Sequence, residues 1–287
     1  MNNAFGIGLR SEHYQDVLDG RADGLGRIGW FEVISENYMD TQGRPLAVLE
    51  QVRRDRPVAL HGVGLSIGST DPLSPAYLGR LSALIGRIGP VIVSDHLCWT
   101  GVGGRITHDL LPLPHTEEAI THVARRLIEV QERLGRQILM ENISSYIWYE
   151  QSEMPEWEFL GEIVRRSGCG ILLDVNNIHV NSVNHGFDPL EFVRNIPGEA
   201  VGQIHLAGHT DMGTYLFDTH SAPVCDAVWE LYGQTVAHLG REIPTLIERD
   251  AEIPPLAVLI AESERARTVS DRALASLNPA AGEATRR

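Results

Sequence analysis

Nine side chains able to ligate a metal fall at or just after the ends of six successive predicted strands: His61, His96, Glu141, Asp174, Asn177, His205, Asp218, His220 and Glu248. They comprise four imidazoles, four carboxylates and one amide, enough to hold two or three metal ions without any thiolate. Nitrogen and oxygen donors in that mixture suit iron, manganese or zinc better than copper(I) or an iron–sulfur centre. Any one of these residues alone would more simply be a hydrogen-bonded core or loop side chain. Apolar strands that end in turn on His, His, Glu, Asp, His and Glu are a different matter. Burying so many ionisable groups together without a counter-ion is very costly, and metal cations remove that cost.

The donors are useful only if their strands converge. Short apolar, β-branched runs recur at Phe5–Leu9, Trp30–Ile34, Val58–His61, Val91–Ser94, Ile138–Glu141, Ile171–Val175, Gly202–Leu206 and Thr245–Glu248. Between them, apolar residues recur at helical spacing, as at Leu78, Leu81, Leu84, Ile85 and Ile88, and at Ile120, Val123, Leu127, Ile128 and Leu134. Eight strands alternating with helices in a chain of 287 residues predict an α/β fold of the (β/α)8 TIM-barrel type. An open doubly wound sheet would bring a glycine-rich phosphate loop after its first strand, and GIGLRSEH is a poor match. One barrel domain is expected over residues 1–275, with a disordered tail at 276–287. In a closed barrel the strand ends meet at one mouth, so ligands remote in sequence become neighbours. Four segments read as long loops on that face: Ser35–Gly43, Cys98–His115, Asn176–Phe187 and Gly208–Pro223. Such a thick rim suits a substrate larger than a simple metabolite.

The composition excludes several alternatives. A net charge of −14 argues against a nucleic-acid partner, whose phosphates need a basic surface. All 24 basic residues are arginine, which removes lysine as nucleophile, base or Schiff-base former. Cys98, Cys169 and Cys225 are too scattered for a zinc motif or a disulfide framework, so a reducing cytoplasm is expected. The sequence MNNAFGIGLRSEH lacks the pattern of a signal peptide, and no apolar run approaches the length of a membrane span.

Other residues carry weaker signals. His209 follows His205 by four positions and is a candidate ligand or supporting proton donor. Glu32, Glu36, Asn37 and Tyr38 cluster at the end of the second strand, where Glu36 and Asn37 are candidates for contacting a substrate backbone; a plain turn explains them equally well. Arg10 would stand at the barrel mouth, where a guanidinium could bind a carboxylate. Asp95 is better placed to orient a neighbour than to bind directly.

Taken as blocks, His61, SDHL at 94–97, ENISSY at 141–146, LDVNN at 173–177, IHLAGH at 204–209, DTHS at 218–221 and IERD at 247–250 resemble the multinuclear non-haem iron-dependent oxidases. The resemblance covers nearly the whole chain, and the branch it resembles most matures copper-binding peptides of the methanobactin and bufferin type. It implies two or three irons, dioxygen as co-substrate, and oxidation of cysteine in a ribosomally made precursor peptide presented by a separate partner protein. It also implies a ligand grouping. His61, His96 and Glu141 would hold one iron, with Glu141 bridging to a second held by Asp174, His205 and Glu248. Asn177, Asp218 and His220 would hold a third. The ligand order also resembles three-zinc barrel endonucleases that cut abasic DNA, but these carry histidine where this chain has Asn177 and need a basic face. A two-metal sugar isomerase is a further alternative, although such enzymes commonly use a lysine.

Overall fold

The fold is taken from a computed structural model, which describes residues 3–20 and 22–277. Eight parallel strands close into a barrel: β1 (Phe5–Gly8), β2 (Trp30–Ile34), β3 (Val58–Gly62), β4 (Ile92–His96), β5 (Leu139–Glu141), β6 (Gly170–Asp174), β7 (Val201–Leu206) and β8 (Thr245–Ile247). Each strand pairs with its neighbours in sequence, and β8 returns to β1 with Phe5 opposite Thr245 and Ile7 opposite Ile247. This is the TIM barrel expected from the alternation of strands and helices. Helices Pro75–Ile88 and Glu117–Leu134 show why the outer layer forms where it does. Ser74 and Thr116 cap them by accepting the amides of Tyr77 and Ala119, and one apolar face of each packs on the barrel.

The barrel interior is graded from apolar to polar. Trp30, Ala59 and Leu246 form a buried plug with Ile92 packed against it. Two residues further along the same strands stand Glu32, His61, Glu248 and Ser94. Alternate strand residues share a face, so the period of two that buries the plug also carries these polar groups to the mouth. Close packing at the plug needs a glycine in β1, because a Cβ on Gly6 would lie 2.5 Å from the Trp30 ring.

β7 reaches the same layer by a different route. Its register against β6 shifts, with Ile171 opposite Val201 but Leu172 opposite Gln203, so Gly202 is an extra residue. Gln203 and His205 consequently occupy the inward positions. The bulge requires a small residue, since a Cβ on Gly202 would meet Leu139 at 3.0 Å.

The four rim segments are more structured than loops. Ser35–Gly43 contains the short helix Glu36–Met39, Cys98–His115 carries a hairpin of Trp99–Val102 with Arg105–Leu111, and Gly208–Pro223 carries one of Thr210–Asp211 with Leu216–Phe217. Asn176–Phe187 is the largest departure, because Val175–His185 is a helix. Its sequence, VNNIHVNSVNH, is rich in asparagine and β-branched residues, which are poor helix formers. Tertiary contacts override that preference: Asp174 caps the helix through the Asn177 amide, and Asn181 donates to the Ile143 carbonyl at 2.9 Å. The last helix, Leu256–Leu277, runs past the boundary drawn at 275, and positions 278–287 of the expected tail lie outside the described residues. No described helix is long and apolar enough to cross a membrane.

Candidate metal centre

His61 is the penultimate residue of β3 and His96 closes β4, and the Nε2 atom of each lies 3.3 Å from Oε2 of Glu141, at the end of β5. What lies behind each ring decides where its proton sits. His96 Nδ1 is 3.0 Å from the Gly62 carbonyl, which only accepts, so Nδ1 carries the hydrogen and Nε2 presents a lone pair. His61 Nδ1 lies 2.9 Å from the Ser94 hydroxyl, which leaves its Nε2 likewise aimed at Glu141. Both Nε2 atoms therefore face one carboxylate oxygen that makes no well-aligned hydrogen bond.

Glu141 also belongs to a second group, with Asp174, His205 and Glu248, whose ligand atoms all lie within 4.8 Å of one another. His205 Nε2 is 2.9 Å from Oε1 of Glu32, whose other oxygen accepts from Gln203 at 2.6 Å. That contact turns Nδ1 toward the mouth, 2.9 Å from Glu248 and 3.5 Å from Glu141. Asp174 spends Oδ1 on the Asn177 amide and leaves Oδ2 free, while the Asn142 side chain bonds the Asp174 backbone on both sides.

A third group gathers beside Glu248. His220 and Asp218 face each other with Nε2 2.8 Å from Oδ1, and His220 Nδ1 is bonded to Asp250 at 3.2 Å. His220 holds a left-handed φ of 48°, which costs a bulky residue about 1–3 kcal/mol. Asn177 donates Nδ2 to the Asn142 carbonyl at 3.1 Å, so its orphaned Oδ1 is the atom left to bind. Asn177, Asp218, His220 and Glu248 all line one cavity of ≈ 230 Å³ together with His61 and His96.

The donor set fits metal ions. Glu141 Oε2, Asp174 Oδ2, Asn177 Oδ1, His205 Nδ1, His220 Nε2 and Glu248 Oε2 are all buried without a well-aligned hydrogen bond, several of them facing only other ligand groups, which native interiors rarely tolerate. Protons fill the role in the absence of metal. Burial opposes charge on His205, but Glu32, Glu248 and Glu141 outweigh it and hold the imidazole well above its ordinary value. His220 is raised in the same way, against burial, by Asp218 and Glu248. Burial, reinforced by Glu141, pushes Asp174 well above the carboxylate range. Burial works to raise Glu141 too, yet His96, His205 and His61 bring it down to about 2. A cation entering here displaces protons held between ligand atoms.

All nine candidate ligands thus meet at one mouth, but the remaining candidates go elsewhere. Glu36 accepts the Tyr77 hydroxyl at 2.7 Å and the Val63 amide at 3.0 Å, and Asn37 is exposed; neither lines the cavity. His209 reaches the centre only through Asn176, which it meets at 2.8 Å and which donates to Asp218 at 2.8 Å. Arg10 does find a carboxylate at the mouth, that of Asp250. Glu32, Ser94, Gln203 and Asp250 complete the site and were not singled out as ring-orienting or rim groups by the sequence. The signal that could have found the first three is their period of two with the plug residues or ligands.

Solved structures that resemble this barrel include L-ribulose 3-epimerase, at 15% identity and TM-score 0.62 over 99% of both chains. A D-psicose 3-epimerase from Clostridium cellulolyticum H10 matches at 9% identity and TM-score 0.59, over 94% of this chain and 96% of that one. Likeness at such identity speaks for the fold alone. Sequence relatives are nearer: a UPF0276 protein of Anaeromyxobacter sp. strain Fw109-5 is 58% identical over 96% of each chain. Another from Rhizorhabdus wittichii is 51% identical over 93% of this chain and 95% of its own length. A family model described as RiPP precursor modification enzyme MbnB/TglH/ChrH matches residues 4–271, nearly all of the barrel that brings these ligands together. The resemblance drawn from the ligand blocks therefore holds, and the chain belongs to the MbnB/TglH/ChrH family of enzymes that modify ribosomally made precursor peptides.

Proposed function

We propose that the protein is a multinuclear non-haem iron oxidase that uses dioxygen to modify cysteine residues of its precursor peptide. The observation that carries this reading is the set of six buried donor atoms, none with a well-aligned hydrogen bond, at the barrel mouth of a chain from a peptide-modifying family. His61, His96 and Glu141 would hold one iron, and Glu141, Asp174, His205 and Glu248 a second. Asn177, Asp218 and His220 would hold a third. Bound iron would supply a Lewis acid for the substrate thiolate and the electron transfer to dioxygen that zinc cannot provide.

The chain's own residues prepare that site. Glu32 and the Gly62 carbonyl face the far nitrogens of His205 and His96, and the Ser94 hydroxyl that of His61, so each ring turns its other nitrogen toward the mouth. The apolar plug of Trp30, Ala59 and Leu246 closes the barrel below, so substrate and solvent enter from the rim alone. A cavity of ≈ 230 Å³ admits a side chain and excludes a folded domain, which fits a cysteine threaded in from an extended peptide. Recognition of the rest of the peptide would fall to a separate partner protein. The free thiols Cys98, Cys169 and Cys225 suit the cytoplasm.

Anaerobic purification from iron-supplemented cells, with metal analysis and Mössbauer spectroscopy, tests the centre, and more than one iron per chain is expected. Co-expression with a neighbouring precursor gene, followed by mass spectrometry, tests the reaction: a mass change confined to cysteine and strictly dependent on dioxygen. Zinc without iron, an unchanged cysteine, and nicking of abasic DNA by the same preparation would overturn the reading in favour of an endonuclease.

A further inference from the structure

Ser144 and Tyr146 line the metal cavity, whereas Ser145 and Ile147 line a second cavity of ≈ 350 Å³ on the other side. The lining alternates residue by residue from Ser144 to Ile147, so this irregular segment is a wall one chain thick between the two cavities. Ile143 touches both cavities. The wall is fixed in place from the helix Val175–His185. Asn181 accepts the Ser145 amide at 2.8 Å and donates to the Ile143 carbonyl at 2.9 Å, and His185 Nε2 lies 2.9 Å from the Ser145 hydroxyl.

The second cavity is built of rings. Trp157 packs on Phe187 with centroids 5.9 Å apart, and His115 stacks on Phe159 at 4.9 Å with Trp148 edge-on to it at 5.8 Å. Burial pushes His115 down to about 4 and Glu156 up to about 8. At the opening, Trp148 is 58% exposed and Ile147 48% exposed, which leaves apolar surface uncovered beside the metal site.

We infer that this cavity is a side-chain subsite that receives an aromatic or large aliphatic residue of the same peptide whose cysteine enters the metal cavity. The inference rests on the peptide reading above, and the occupant follows from the shared wall: a chain lying across residues 143–147 has one cavity on each side of it. Ring-lined, largely apolar surroundings reject a charged side chain and reward an apolar one. Two anchors on one peptide would fix which cysteine is presented, and they would restrict its motion at the centre.

The test begins with the zinc-loaded full-length chain, which is free of paramagnetic broadening, titrated with N-acetyl-phenylalaninamide, N-acetyl-leucinamide and N-acetyl-glutaminamide. Saturable shifts of the Trp148 and Trp157 indole N–H signals are expected with the first two, and binding about tenfold weaker or worse with the third. Trp148→Ala and Ile147→Asp, both at exposed positions, should weaken the apolar ligands about tenfold while metal content stays unchanged. The second arm uses blocked heptapeptides with a central cysteine and one phenylalanine moved through the other positions. At least one should bind about tenfold more tightly than its glutamine counterpart, and Trp148→Ala should erase the gain. No saturable shift at either tryptophan, or affinities that both variants leave untouched, would overturn the subsite. Amide binding with no advantage in any cysteine peptide would assign the cavity to another ligand and overturn it equally. Neither arm depends on iron or on turnover, so failure of the oxidase reading leaves both results interpretable.

Discussion

Glu141 is shared by two groups of donors, and its two oxygens point to different sets of histidines. Glu141→Gln keeps the volume and removes the charge, so more than one metal equivalent should be lost; unchanged metal content after dialysis would show that the residue is no bridge. Glu32 touches no proposed ligand atom that faces the mouth, yet it sets the proton on His205. Glu32→Gln should weaken metal binding by roughly 10–100-fold, the usual scale for a residue behind a ligating histidine, with the fold intact by circular dichroism. These two residues mark how far the sequence reaches at this scale. Glu141 announces itself by ending an apolar strand in a carboxylate, as Asp174 also does and as Glu248 does just past β8. Glu32 stands mid-strand within WFEVI, and spacing alone does not distinguish a carboxylate that faces a metal from one that holds a ligand's proton. In IERD the strand-end position belongs to Glu248, and only the turn at His220 brings Asp250 within reach.

The elements were legible where local preference and burial agree. The strands and the helices Pro75–Ile88 and Glu117–Leu134 follow their hydrophobic period closely. Val175–His185 was hidden because its residues disfavour a helix and its stability comes from partners in other loops. The bulge in β7 was hidden for a related reason: VGQIHL reads as a plain strand, and the extra residue shows only against the register of β6. That bulge makes a sharp prediction. Gly202→Val would press a side chain onto Leu139, where even a Cβ comes within 3.0 Å, and over-packing of this kind costs about 1–3 kcal/mol. Relief by straightening the bulge would turn His205 out of the interior. Lower thermal stability together with lost metal is therefore expected, and metal analysis of the refolded variant checks it; full occupancy would show that β7 does not depend on the bulge for aiming His205.

For the whole molecule, the barrel concentrates Glu32, Glu141, Asp174, Asp218, Glu248 and Asp250 at one mouth of a chain with net charge −14. Without metal, that concentration is tolerated because His205, His220 and Asp174 hold protons at raised affinity. The sign of the pH dependence follows. Metal must displace those protons, so binding should tighten as pH rises toward and beyond the raised imidazole values, and weaken as pH falls. Metal retention measured against pH should therefore rise monotonically from acid to neutral conditions. A retention curve that is flat or falls over that range would show that the histidines are not proton-competed ligands. Stability should follow occupancy, because ions that bind only the folded barrel add about 4 kcal/mol at a free concentration on the order of 1,000 times Kd. For a domain of this size that is a shift of roughly 8–16 °C in Tm. Chelation at neutral pH should therefore lower Tm by an amount of that order, with the difference shrinking in acid as protons take the metals' place. Equal melting of the metal-loaded and chelated forms at neutral pH would mean that the mouth is balanced by its own protons and that the ions contribute nothing to holding the barrel together.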